Sequence, residues 1–340
     1  MILFLIWYLH FFLFYIHQKN KLLYRLLKIP ARFALWIYCR HIFINDKDIL
    51  KHKGPLLLAC NHPNSFLDAI ILCTLFKQPV HSLTRGDVFK SKFTNAFLRA
   101  INMLPVYRTS EGVENMEHNY TSFNDCKKIF KNDGIVLIFS EGRCTNEWHL
   151  RSLMKGTARL AISSWQDGID VKILPCGLNY QSFTSFGKNL QINFGNIFEQ
   201  NNITLDSGFG KAIISFNEQL QKALQPLVYE IEKNNTAAVK QKLVVKISSL
   251  KKILLCVPAA AGYLFDWPLY YFLQKYAWKK ASHNDHYDSI LVGLLFGCYI
   301  LYLLLLTIIL FIITKSWWSF LLLIAAPFCA WSYVQVKKQF

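Results

Sequence analysis

The sequence predicts an α/β domain built on a central mixed sheet flanked by helices, with membrane-associated helices before it and a transmembrane helical hairpin after it. Three observations lead there. Short apolar runs alternate with helix-period runs from about Gly54 to Phe198, the pattern of an α/β domain. The run Ser289 to Ile313 carries no charge and as a helix covers about 37 Å, more than the ~30 Å hydrocarbon core of a bilayer. A second uncharged run, Trp317 to Val334, follows after Thr314-Lys315-Ser316, with Trp317, Trp318, Trp331 and Tyr333 suited to the two interfaces.

Taken in chain order, residues 1–50 read as an N-terminal membrane-associated segment. Met1 to His17 is apolar and aromatic with no charge before Lys19, so basic residues follow it, whereas they precede the apolar core of a signal peptide. Lys19, Lys21, Arg25, Lys28 and Arg32 then interleave with leucines, a basic amphipathic pattern expected to bind an anionic leaflet. Within the α/β domain, residues 51–205, the clearest strands are Leu56 to Cys60, Ile135 to Phe139 and Val171 to Leu174, and helices are expected over Phe66 to Phe76, Phe123 to Lys131 and Leu153 to Trp165. Residues 206–252 form a helical extension in which Lys211 to Glu232 reads as one helix bent at Pro226. In the C-terminal membrane region, 253–340, Asp266 between Phe265 and Trp267 favours an interfacial or re-entrant path for Ile253 to Leu273. Lys279 and Lys280 before the hairpin and Lys337 and Lys338 after it, against Lys315 alone in its turn, leave the α/β domain facing the cytoplasm by the positive-inside rule.

The formal charge of +17 would suit a nucleic-acid binder, yet the basic residues are dispersed and no nucleic-acid module is recognisable among them. Anionic membrane lipid is the expected partner. Nine cysteines without a CxxC pair indicate free thiols and no zinc site.

Asn61-His62-Pro63-Asn64-Ser65-Phe66-Leu67-Asp68 stands just past the first strand. On one continuous helix, six residues would turn His62 and Asp68 about 240° apart, given ~100° per residue. With Pro63 favouring a loop and Ser65 capping a helix that begins after it, the imidazole and the carboxylate can meet as a base and its orienting acid. The alternative is that Asp68 completes a capping box and His62 is a polar loop residue.

Further segments follow in order: Gly86-Asp87-Val88-Phe89, Leu104-Pro105-Val106-Tyr107-Arg108, Phe139-Ser140-Glu141-Gly142-Arg143, Leu153-Met154-Lys155-Gly156-Thr157 and Ile173-Leu174-Pro175-Cys176-Gly177-Leu178-Asn179-Tyr180. With the His62 block, the set resembles the phospholipid/glycerol acyltransferase superfamily, the lysophosphatidate and glycerol-3-phosphate acyltransferases, over roughly residues 54 to 200. Here five residues separate His62 from Asp68 where the common block has four. Ser140 replaces a proline, and Arg143-Cys144 stands where the common form has Thr-Arg.

The resemblance implies O-acyl transfer to a hydroxyl of glycerol 3-phosphate or 1-acylglycerol 3-phosphate. It makes His62 and Asp68 catalytic and Arg108, Glu141, Gly142, Arg143 and Lys155 substrate-binding, with acyl-CoA or acyl carrier protein as donor partner and no cofactor. The chemistry is consistent with it: an imidazole takes the alcohol proton, the carboxylate fixes the tautomer, and the cations hold a phosphate. Glu141 would repel phosphate, so it is expected to bind acceptor hydroxyls or to steady a basic side chain. Two other readings stand beside this one, a metal-dependent hydrolase with His62, Asp68 and Glu141 as ligands, and a non-catalytic lipid-binding membrane protein.

Overall fold

The computed structural model describes residues 20–107, 117–203 and 208–339. The reading of residues 1–17 as an anchor lies outside them. The described chain opens with α1 (Asn20–Tyr38) and β1 (Cys39–Ile44) and continues with β2 (Leu56–Cys60), α2 (Phe66–Leu75), β3 (Val80–Arg85), α3 (Lys92–Ala100) and β4 (Met103–Val106). It goes on through α4 (Glu117–Lys131), β5 (Ile135–Phe139), α5 (Lys155–Gln166), β6 (Lys172–Tyr180), β7 (Lys188–Phe194), α6 (Phe209–Leu224) and α7 (Thr236–Leu243). Three long helices follow: α8 (Ser249–Ala281), α9 (Tyr287–Thr314) and α10 (Leu322–Val336).

The strands form one sheet in the order β1-β7-β6-β2-β5-β3-β4. All neighbours are parallel except β6 and β7. β2 is central and every residue of it is buried, which is why it reads as a continuous apolar run. Because side chains alternate across a strand, Leu56, Leu58 and Cys60 enter one layer with α1, α2 and the facing ends of α8 and α9. Leu57 and Ala59 enter the other, beneath α4, α5 and α6. The carboxyl ends of β2, β5 and β6 therefore open side by side, where an open α/β sheet places its ligands.

Some expectations change. α6 stops at Leu224 and does not bend through Pro226. Gln225 still has helical backbone angles and bonds to Gln221 C=O, but Pro226 has no N–H to continue the ladder. Lys28 and Arg32 also reach the α/β domain: Lys28 Nζ donates to the carbonyl of Phe76, and Arg32 donates to those of Thr74 (2.7 Å) and Leu75 (3.2 Å). They cap the carbonyl end of α2, where positive charge is favoured, and the face α1 exposes carries Leu26, Ile29, Phe33 and Trp36.

By length and apolarity α8, α9 and the helical run Trp317–Val336 each suffice to cross a membrane. This adds a third such helix to the two of the expected hairpin. Asp266 lies within α8 with both carboxylate oxygens enclosed, near Tyr299 of α9. α8 also approaches α10 closely: a Cβ on Gly262 would lie 2.3 Å from the carbonyl oxygen of Cys329, the close backbone contact that small residues permit between membrane helices.

Candidate active site

The chain leaves β2 through Asn61, whose side chain copies a strand ladder by accepting from Leu178 N–H (2.8 Å) and donating to Leu178 C=O (3.1 Å). This ties the turn to β6. His62 then stacks its ring on Phe139, at the end of β5, with centroids 3.9 Å apart and planes 11° from parallel. Its Nδ1 lies 2.8 Å from Asp68 Oδ2. The expected meeting of imidazole and carboxylate across a loop is thus the geometry observed.

Asp68 is fully buried. Oδ2 also accepts from Asn64 N–H (2.8 Å), and Oδ1 accepts from the Tyr180 hydroxyl (2.7 Å). An ionised carboxylate can only accept, so the ring proton sits on Nδ1 and Nε2 is left as the basic nitrogen. The His62 side chain is 16% exposed and borders the cleft. A buried carboxylate with three donors is held in one orientation.

Ser65 begins α2 but does not cap it with its side chain, so the capping box expected with Asp68 is absent. Its backbone lies at φ 51°, ψ −135°, which turns the hydroxyl to His286 Nδ1 at 2.7 Å. Asp68 is thereby free to serve His62.

Glu141 is 5% exposed. Its two oxygens accept from the backbone N–H groups of His62 (2.9 Å) and Arg151 (3.0 Å), so it fastens the turn after β2 to the loop before α5. Burial pushes its carboxyl above the usual range, and those two hydrogen bonds oppose the shift. Gly142 has φ +66°, and a Cβ there would meet Met154 Cγ at 2.8 Å, which restricts the position to glycine. Arg143 and Lys155 are exposed and line the same cleft as His62, together with Arg159. Arg108 lies outside the described residues. Its neighbour Tyr107 is fixed by Asn119, which accepts from the Tyr107 N–H and donates to its carbonyl, each at 2.8 Å.

The cleft measures 2390 Å³, against ~300–1,000 Å³ for a pocket holding one small ligand. One wall is the turn between α8 and α9, with Trp278, His283 and His286. Among the described residues no three His, Cys, Asp or Glu side chains gather to hold a metal. The carboxylates that the hydrolase reading needs already accept from N–H and O–H donors of the protein. Cys60 is fully buried, and burial pushes its thiol well above the ordinary range.

Sequence reasoning missed Tyr180, Asn64, Lys188 and Asp288 as partners of the site. Tyr180 and Asn64 stand inside recognised segments, but only strand register and loop path bring them to Asp68.

A family model described as Acyltransferase matches residues 41–179, about two fifths of the chain. No curated protein matches it. Among solved structures, the 1-acyl-sn-glycerophosphate acyltransferase PlsC from Thermotoga maritima is similar at 11% identity, covering 67% of this chain and 90% of that one with a TM-score of 0.44.

Proposed function

We propose that this protein is an integral membrane O-acyltransferase of phospholipid synthesis. It moves a fatty acyl group from acyl-CoA or acyl carrier protein to a hydroxyl of glycerol 3-phosphate or 1-acylglycerol 3-phosphate. The observation that carries the reading is the His62–Asp68 pair at the mouth of a cleft rimmed by Arg143 and Lys155 within an acyltransferase domain.

In the proposed reaction His62 Nε2 takes the acceptor's hydroxyl proton as its oxygen attacks the thioester carbonyl, and Asp68 stabilises the imidazolium that forms. The backbone N–H of Phe66, a cleft-lining residue at the N-terminus of α2, is assigned to the tetrahedral oxyanion. Collapse breaks the C–S bond, and His62 returns the proton to the departing thiolate. No acyl-cysteine intermediate is needed. Arg143, Lys155 and Arg108 are assigned to the acceptor phosphate, while Glu141 and Gly142 shape the turn beneath it.

α9 and α10 are proposed to cross the bilayer as a hairpin. Both open ends rest on the α/β domain, Asp288 against Asn64 and Val334 against Arg40, while Lys315 marks the far turn. α8 has both ends on the domain side, Lys251 through Gln335 to Arg40 and Ala281 in the core, which favours a path along the interface. The lysine flanks favour a cytoplasmic catalytic face.

The test is to incubate purified protein in detergent with labelled acyl thioester and, in turn, glycerol 3-phosphate, dihydroxyacetone phosphate, lysophosphatidate and lysophospholipids. Ester formed on a glycerol phosphate and abolished by His62→Ala supports the reading. Free fatty acid alone, lost on chelation, would instead favour the hydrolase.

A further inference from the structure

We propose that the first turn of α9 belongs to the catalytic machinery, with Asp288 a positioning residue that acts on the His62–Asp68 pair through Asn64. The inference rests on the role proposed for His62. Asp288 is fully buried at the start of α9. Its Oδ2 accepts from Asn64 Nδ2 (2.7 Å) and also meets Lys188 Nζ, and its Oδ1 accepts from the Tyr38 hydroxyl (2.6 Å). Asn64 in turn donates its backbone N–H to Asp68 Oδ2, the oxygen that faces His62 Nδ1. One residue thus separates a membrane helix from the catalytic carboxylate.

Neighbouring contacts act in the same place. Ser289 Oγ accepts from Leu67 N–H (3.3 Å) and donates to Asn64 C=O (3.4 Å). Ser65, at a positive φ that non-glycine residues rarely adopt, is held by His286 at its hydroxyl and by Cys144 Sγ at its N–H (3.0 Å). A strained residue persists only where its surroundings over-determine it, and here the α8–α9 turn supplies part of that determination. A hairpin serving only as an anchor would need apolar contact alone. A buried Lys–Asp pair costs desolvation, and what it offers in return is a fixed geometry.

Removing the Asn64 side chain cuts this link while leaving Asp288 its contacts with Lys188 and Tyr38. A misplacement of about 1 Å at a reacting group costs roughly 100-fold in rate. For the full-length enzyme in detergent, Asn64→Ala is expected to lower kcat about 100-fold per folded molecule, with KM for both substrates little changed; the thermal midpoint falls as the buried Asp288 carboxylate loses a donor. The acid limb of its kcat/KM profile should move to lower pH, because a less aligned Asp68 supports the imidazolium less. Asp288→Ala, which removes the acceptor for Asn64 Nδ2, should lower kcat in the parent and add nothing in the Asn64→Ala background, since both changes break one chain. A parental kcat for Asn64→Ala, or losses that multiply in the double variant, would overturn the proposal. If Asp288→Ala does not fold, Asn64→Ala alone decides. His62→Ala separates the two levels: inactive His62→Ala beside fully active Asn64→Ala defeats only the positioning role, whereas active His62→Ala defeats the reading beneath it.

Discussion

Replacing Asp68 by asparagine removes the charge behind His62 while keeping the volume of the side chain. The hydrogen bonds can survive the change. The asparagine oxygen can face His62 Nδ1 and the Asn64 N–H, and its NH2 can donate to the Tyr180 hydroxyl, which accepts as readily as it donates. The neutral imidazole therefore keeps its tautomer, and the loss is confined to the imidazolium formed as the alcohol is deprotonated. With Nδ1 and Oδ2 2.8 Å apart, the two charge centres lie about 4 Å from each other, worth ~4 kcal/mol at an effective dielectric of about 20. At ~1.36 kcal/mol per decade, kcat should fall about 10³-fold with KM for donor and acceptor little changed. The assay is initial-rate transfer of labelled acyl group to glycerol 3-phosphate, alongside a thermal melt to count folded enzyme. A folded Asp68→Asn variant within tenfold of the parent would refute the claim that this carboxylate works electrostatically through His62.

Tyr180→Phe leaves Asp68 Oδ1 without its buried donor, so stability in detergent should drop by about 1–3 kcal/mol, read from thermal or urea unfolding. Alanine at Lys155 or Arg143 should raise KM for the phosphorylated acceptor roughly 10- to 100-fold, the worth of a hydrogen bond to a charged group, with kcat less affected. An unchanged KM in both variants would remove these side chains from the phosphate site. Because burial pushes the Cys60 and Cys144 thiols up, little thiolate is present at neutral pH. Iodoacetamide should leave both unmodified by mass spectrometry, with activity intact. Gly262→Leu should separate α8 from α10, where even a Cβ meets backbone at 2.3 Å, and should lower the melting temperature in detergent.

The sheet was legible because β2 and β5 are short, wholly apolar runs bounded by turn residues, and both fall where they were expected. The His62–Asp68 contact was legible for a related reason: six residues that cannot meet on one helix can meet across a loop. What stayed hidden depends on long-range register. Tyr180 reaches Asp68 only because β6 pairs with β2, and Asp288 reaches Asn64 only because the α8–α9 turn folds back onto the cleft. The basic amphipathic pattern of residues 19–32 likewise cannot reveal that the carbonyl end of α2 lies within reach of Lys28 and Arg32. The role of Glu141 was hidden for the same cause, since its partners are backbone N–H groups that leave no trace in residue identity.

The most direct measurement is the rate at which purified His62→Ala, shown to be folded by its thermal melt, transfers labelled acyl group from thioester to glycerol phosphate. With His62 as the proposed base, its loss should lower that rate by roughly 10²- to 10⁴-fold with donor binding retained. A folded variant that forms ester at the parental rate would contradict the account.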